Sequence, residues 1–199
     1  FLNAKAKRTK GFRIYILNWD FPMLYFRERE LIPIFNNGWK THRRIFYRMD
    51  DQHPIGASQH QKFVVIDNQV AFCGGLDLAN SRWDTPEHRI EDPRRKDPEG
   101  DIYGPFHDVQ MVVEGKAAAR MGELFVERWK WATGERIDCN GIDSRSPWPE
   151  KITPDLRDIP AAISRTLPAF KDRKEVREVE NLYMDCICAA EKSIYIENQ

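Results

Sequence analysis

His60-Gln61-Lys62-Phe63-Val64-Val65-Ile66-Asp67, followed a short strand later by Gly74-Gly75-Leu76-Asp77, is the stretch that decides the fold. A histidine and a lysine, one residue apart, lead directly into the apolar run Phe63 to Ile66. Residues i and i+2 of a strand share a face. A strand that starts at or just before His60 therefore projects His60 and Lys62 together and turns Gln61 away. Asp67-Asn68-Gln69 reads as a turn into a second strand, Val70 to Cys73. A neutral imidazole beside a fixed ammonium suits a phosphoryl group. The imidazole can attack phosphorus or move a proton, and the ammonium can hold the non-bridging oxygens.

The chain has 199 residues, enough to bury a sizeable core as one domain or most of one. Its 41% hydrophobic and 31% charged content is that of a soluble globular protein. Basic and acidic residues balance at 31 each, so no global field draws the chain to nucleic acid or to an anionic membrane. The local basic clusters, Lys5 to Lys10 and Arg94-Arg95-Lys96, read as solvated segments. No apolar run approaches the roughly 18 residues of a membrane span, and no signal peptide opens the chain. Cys73, Cys139, Cys186 and Cys188 lack zinc-type spacing and are expected to be buried free thiols, consistent with a reducing compartment. No cofactor and no metal is implied.

On either side of the central stretch the chain alternates strands and helices. Phe12 to Leu17 reads as a buried strand ended by Asn18-Trp19-Asp20, where Trp19 and Asp20 either border a pocket or cap the strand. Met23 to Phe35 has helix-like spacing, Asn36-Asn37-Gly38 is a turn, and Arg43 to Met49 is a second strand. His53, in the loop before His60, is expected at the surface. After the double glycine, Arg89 to Gly104 is a charged loop, placed where a lid would lie but composed like an ordinary surface insertion. Val109 to Glu114 is a strand, and Lys116 to Thr133 a helix stopped by Gly134. His107, just before that strand, either approaches the site or serves as a strand-end hydrogen-bonding group. Residues 136–174, rich in proline, form an irregular connector. Glu175 to Lys192 is a helix with Val176, Val179, Leu182, Tyr183, Cys186 and Ile187 on one face, and Ile194 to Gln199 is a strand.

His-x-Lys, four residues, Asp, six residues and Gly-Gly resembles the signature of the phospholipase D superfamily. Asp77 stands where many members have Asn, and Gln59 where a second His often precedes the first. Gly74-Gly75-Leu76-Asp77-Leu78-Ala79-Asn80-Ser81-Arg82-Trp83-Asp84, followed by His88, is similar to the eukaryotic-type phospholipases and their bacterial relatives, as are His107-Asp108-Val109-Gln110 and Ile194 to Gln199. The resemblance implies an α/β sandwich in which a mixed sheet is flanked by helices. It also implies a phosphohistidine mechanism without a metal.

Carried over by position, His60 is the nucleophile or its acid–base partner, and Asp67 closes the motif. Lys62 binds the phosphoryl oxygens with Gly74, Gly75 and Asp77, whose carboxylate must be protonated or turned toward Lys62. The bland role of Asp67, holding the turn, is the stronger one. Asp84 is the candidate carboxylate that orients a facing His.

The motif occurs once, whereas the family's site combines two copies. The expectation is therefore an N-terminal catalytic half (1–199) whose partner is a second motif-bearing half, later in the same protein or on a second copy of the chain. The leading function is a phospholipase D acting on phosphatidylcholine-like lipids at a membrane surface, in a cytoplasmic or peripheral setting, with no nucleic acid bound. Cardiolipin synthase-like transferases and single-motif dimeric phosphodiesterases or nucleases form a second class, although a nuclease usually needs a basic groove. A non-enzymatic half with a binding or regulatory role is the third.

Overall fold

A computed structural model of the chain describes residues 1–19, 42–137 and 146–197. They fall into two compact units. One comprises residues 1–19, 42–59, 127–137 and 162–197, and the other residues 60–126 and 146–161. The secondary structure is mixed α/β with both parallel and antiparallel pairing, in line with the fold class expected from the sequence.

In the first unit, α1 (Leu2–Arg8) carries the first basic cluster, and β1 (Ile14–Trp19) pairs in parallel with β2 (Ile45–Asp50) from Ile14↔Ile45 to Trp19↔Asp50. The β-branched and aromatic residues of both strands suit a half-buried pleated surface. Tyr15 stacks on Phe46 at 4.9 Å and meets the fully buried Trp129 edge-on at 5.2 Å. Asp50 ends β2 completely buried, and the nearly buried Arg128 donates its Nε–H to the Asp50 carboxylate. Arg128 and Arg173 also both donate to the carbonyl of Gln52, at 3.2 and 2.6 Å. A buried carboxylate deprived of its cation destabilises strongly, so this pair ties helix to strand end. His53 is half-buried and not a surface residue, because Trp19 donates its Nε1–H to His53 Nε2 at 3.0 Å. Asp20, the helix-like Met23 to Phe35 and the turn at 36–38 lie outside the described residues.

The first unit also holds the ribbon β6 (Thr166–Leu167) with β7 (Val176–Arg177), and α3 (Glu178–Ala189). The helix expected from Glu175 begins later because residues 176–177 pair with β6. Glu178 and Glu180 in its first turn complement the helix dipole. None of its residues is buried, so Cys186 and Cys188 are exposed thiols, contrary to expectation. The strand expected from Ile194 does not form through residue 197, where no partner strand among the described residues offers a ladder. Residues 146–165 contain neither helix nor strand.

The second unit carries the central stretch. β3 (Phe63–Ile66), β4 (Val70–Gly74) and β5 (Gln110–Glu114) form an antiparallel sheet with β4 in the middle. Asp67 and Asn68 adopt left-handed backbone, at φ 51° and 52°, which Asp and Asn tolerate better than most residues. The amide of Gln69 closes the turn on the Ile66 carbonyl at 3.0 Å.

The helix α2 (Lys116–Thr133) matches its expected bounds. Gly115 precedes it at φ 70°, and Gly134 ends it at φ 75° with its amide on the Lys130 carbonyl at 2.8 Å, as a left-handed glycine commonly does. Ala71, Ala118 and Met121 form the buried core, with Phe63, Val65 and Val113 packed around them. Phe63 and Val65 point into this core while Val64 between them is exposed, the period-two pattern of a one-sided strand. Cys73 is exposed rather than buried, one residue short of the end of β4.

Backbone packs directly on the double glycine. A Cβ at Gly74 would collide with the Val109 carbonyl oxygen and lie 2.8 Å from Gln110 Cα, whereas the atoms nearest to one at Gly75 are those of the Asp108 carboxylate. Gly74→Ala is therefore expected to destabilise the chain by about 3 kcal/mol, with Gly75→Ala costing about 1 because a side chain can turn aside. Urea unfolding of the two variants measures the difference. Equal costs would contradict this packing.

Candidate active site

The strand begins at Phe63, so His60 and Lys62 lie in the segment that leads into it rather than on β3 as expected. The pairing still reaches Lys62, whose carbonyl accepts the Gly74 amide at 3.3 Å. His60 is exposed, and its own carbonyl accepts from Lys62 Nζ at 3.3 Å. The lysine thus folds back over the histidine's backbone. Its ammonium also meets Asp77 Oδ1 at 3.2 Å, so the carboxylate is turned toward Lys62.

Arg82 completes this group, and sequence reasoning missed it. Its NH2 lies 3.8 Å from Asp77 Oδ2, its NH1 donates to the Asn80 carbonyl at 3.2 Å, and its guanidinium stands 5.2 Å from the centre of the Phe106 ring. Only its spacing of five residues from Asp77 hints at this, because the loop between them has no regular period.

The structure does not bring Asp67 to this group. Asp67 occupies the turn at the other end of β3, roughly 17 Å along the chain from Lys62 at about 3.3 Å per residue. The Gly74 amide donates to the Lys62 carbonyl, and the Gly75 amide to the Val109 carbonyl at 3.4 Å. The glycines act through the close approach they permit.

Asp84 is the hub of the following segment. Its side chain is nearly buried, and all four acceptor directions of the carboxylate are filled. Oδ1 accepts from the Thr85 amide at 2.8 Å and from Arg95 at 3.1 Å, and Oδ2 from the Phe106 amide at 2.9 Å and His88 Nδ1 at 3.0 Å. Within this chain the histidine that Asp84 meets is His88, four residues on. A carboxylate only accepts, so His88 Nδ1 carries the proton. On the other side of the ring, His88 Nε2 lies 3.3 Å from His107 Nδ1. His107 thus extends an Asp84–His88–His107 chain.

Burial works to raise the Asp84 carboxyl. The Phe106 and Thr85 amides, His88 and Arg95 overcome it and hold the group well below the usual carboxylate range, since hydrogen bonds to the charged form favour it. Arg95, fully buried, also donates to the carbonyls of Arg89 and Ile90. Hydrogen bonds from the side chain and amide of Arg94 bring the buried Asp92 down to about 2. The charged 89–104 segment is thus tied down by the buried Arg95–Asp84 ion pair, with the Arg94–Asp92 pair at its surface and a short bridge at Lys96↔Ile102.

The described residues contain no group of three metal-ligating side chains, and none of their helices is long and apolar enough to cross a membrane.

The phospholipase D family profile matches residues 41–199, well over half of the chain. Phospholipase D C of Dictyostelium discoideum is 31% identical over 160 residues, covering 66% of this chain and 10% of that protein. Phospholipase D zeta 1 of Arabidopsis thaliana is 31% identical over 166 residues, covering 66% of this chain and 14% of that protein. Phospholipase D1 of Schizosaccharomyces pombe is 26% identical over 252 aligned positions, covering all of this chain and 18% of that protein. The chain belongs to the phospholipase D family, and it spans less than a fifth of the length of these relatives.

Asp84 and Asp92 are depressed in the folded chain, so the stability they add is complete above the ordinary carboxylate range and is lost on acidification. For Asp92 that loss falls between about pH 4 and its folded value of about 2. Asp84 persists to lower pH. Urea unfolding of wild type and Asp92→Asn from pH 5 to 2 is expected to show a shallower acid decline in the variant. Parallel declines would contradict the assignment.

Proposed function

We propose that this chain supplies one half-site of a phospholipase D-type phosphodiesterase that acts on phosphatidylcholine-like lipids at a membrane surface. The observation that carries this reading is the Lys62 ammonium, folded onto the backbone carbonyl of His60 and held by Asp77, on a chain that belongs to the family. In this reading the His60 imidazole either attacks phosphorus or serves as the acid–base partner. When it attacks, a P–N bond forms, the P–O bond to the headgroup breaks, and a second histidine gives its proton to the departing alkoxide. Water or an alcohol then attacks phosphorus, the P–N bond breaks, and that second histidine takes up the proton. Lys62 holds the non-bridging oxygens as charge builds on them.

The second histidine comes from another motif-bearing half, whether further along a longer protein or on a second copy. The Asp84–His88–His107 chain supports the site by fixing the segment that bears Phe106, against which Arg82 rests. Residues 1–199 act in this reading as one catalytic half, with 136–174 as its connector, at the periphery of a membrane. Asp67 serves the hairpin turn.

In the complete enzyme, His60→Ala is expected to lower turnover by a factor of about 100 to 10,000 or more. Asp67→Asn is expected to leave turnover largely intact while costing stability. The assay is transphosphatidylation: phosphatidylcholine and a primary alcohol are incubated with each variant, and the phosphatidyl-alcohol is quantified. Near-normal product from a purified, folded His60→Ala enzyme would overturn the reading.

A further inference from the structure

We infer that Arg82 is a second phosphoryl ligand, which restores the positive charge that Asp77 removes from the Lys62 site and makes that site selective for a phosphodiester monoanion. This inference rests on the reading of Lys62 as the phosphoryl-binding cation.

A carboxylate next to the bound anion is the difficulty. Lys62 and Asp77 at 3.2 Å form a pair of zero net charge, and a phosphodiester approaching it meets a carboxylate as well as an ammonium. With Arg82 included, the group Lys62–Asp77–Arg82 carries a net charge of one positive unit, equal and opposite to that of a phosphodiester. An arginine that compensates the aspartate gives the same balance as a lysine beside a neutral side chain.

The geometry fits a ligand rather than a closed salt bridge. The Arg82 NH2 stands 3.8 Å from Asp77. That is beyond hydrogen-bonding distance, so the two attract without consuming the donor. The Asn80 carbonyl and the Phe106 ring hold the rest of the guanidinium in place, which lowers the cost of ordering it when an anion arrives. Lys62 has only 12% of its side chain exposed and therefore sits behind, while Arg82 at 35% and Asp77 at 46% form the open side. An incoming phosphodiester can place one oxygen on the Lys62 ammonium and another on the planar guanidinium, a pairing for which arginine is well shaped.

Titration of the folded chain with dimethyl phosphate, followed by 31P NMR, tests this. Arg82→Gln is expected to weaken binding by roughly ten-fold or more, the loss typical of a charge-assisted contact. Arg82→Lys, which keeps the charge, should retain most of the affinity. The decisive variant is the double substitution Arg82→Gln with Asp77→Asn, which returns the net charge to one positive unit and should recover binding to within a few-fold of wild type. An arginine that merely staples its loop would show no such rescue.

Arg82→Gln binding like wild type, or a folded double variant as weak as the single one, would overturn the inference. If Arg82→Gln fails to fold, Arg82→Lys decides: near-wild-type affinity supports the charge account and a collapse contradicts it. Lys62→Gln separates the two levels of the argument. Undiminished binding in that variant removes the phosphoryl site itself, whereas loss there with no loss in Arg82→Gln removes only the role of Arg82.

Discussion

The close approach of the Val109–Gln110 backbone to Gly74 is the constraint on which the site depends. Because no side chain intervenes, β5 can lie against the end of β4 while the Gly74 amide reaches back to the Lys62 carbonyl. One residue thereby fixes the start of the motif strand, the entry to the Asp77–Arg82 loop and the approach of the segment that carries Phe106 and His107. A methyl group at this position would have to displace backbone, which a packed sheet resists far more than the movement of a side chain.

From that anchor the electrostatics divide into two groups with different duties. Lys62, Asp77 and Arg82 are partly exposed and together carry one net positive charge. Asp84, Arg95 and Asp92 are buried and hydrogen-bonded, the condition of a scaffold. Phe106 joins the two groups: its amide is held by Asp84 and its ring carries Arg82. A buried carboxylate with four donors is rigid, and rigidity there is transmitted to a cation that must stay in place without a strong partner of its own.

Much of this was legible in the sequence, for identifiable reasons. The α2 helix has a clear apolar stripe and a glycine at each end, so its limits can be read directly. The hairpin at Asp67-Asn68 follows from residues that tolerate positive φ. The motif residues His60 and Lys62 are evident, but the strand they were expected to open starts later, because apolar periodicity marks where a core begins and not how a polar segment approaches it. Arg82, His88 and His107 give weaker signals, since their roles arise from loop geometry that no period encodes. His53 reads as a surface residue only because its partner Trp19 is distant in sequence. The exposed face of α3 and the missing strand at Ile194 are of another kind: apolar pattern predicts burial, and burial depends on a partner that the pattern does not supply.

The most direct test of the central claim, that the phosphoryl group is held over His60 by Lys62 and Arg82, is a crystal structure of the chain with bound dimethyl phosphate. Phosphoryl oxygens are expected within hydrogen-bonding distance of the Lys62 ammonium and the Arg82 guanidinium, next to the His60 imidazole, with the Lys62–Asp77 contact lengthened. An anion bound elsewhere, with Lys62 and Asp77 still paired at 3.2 Å, would contradict it.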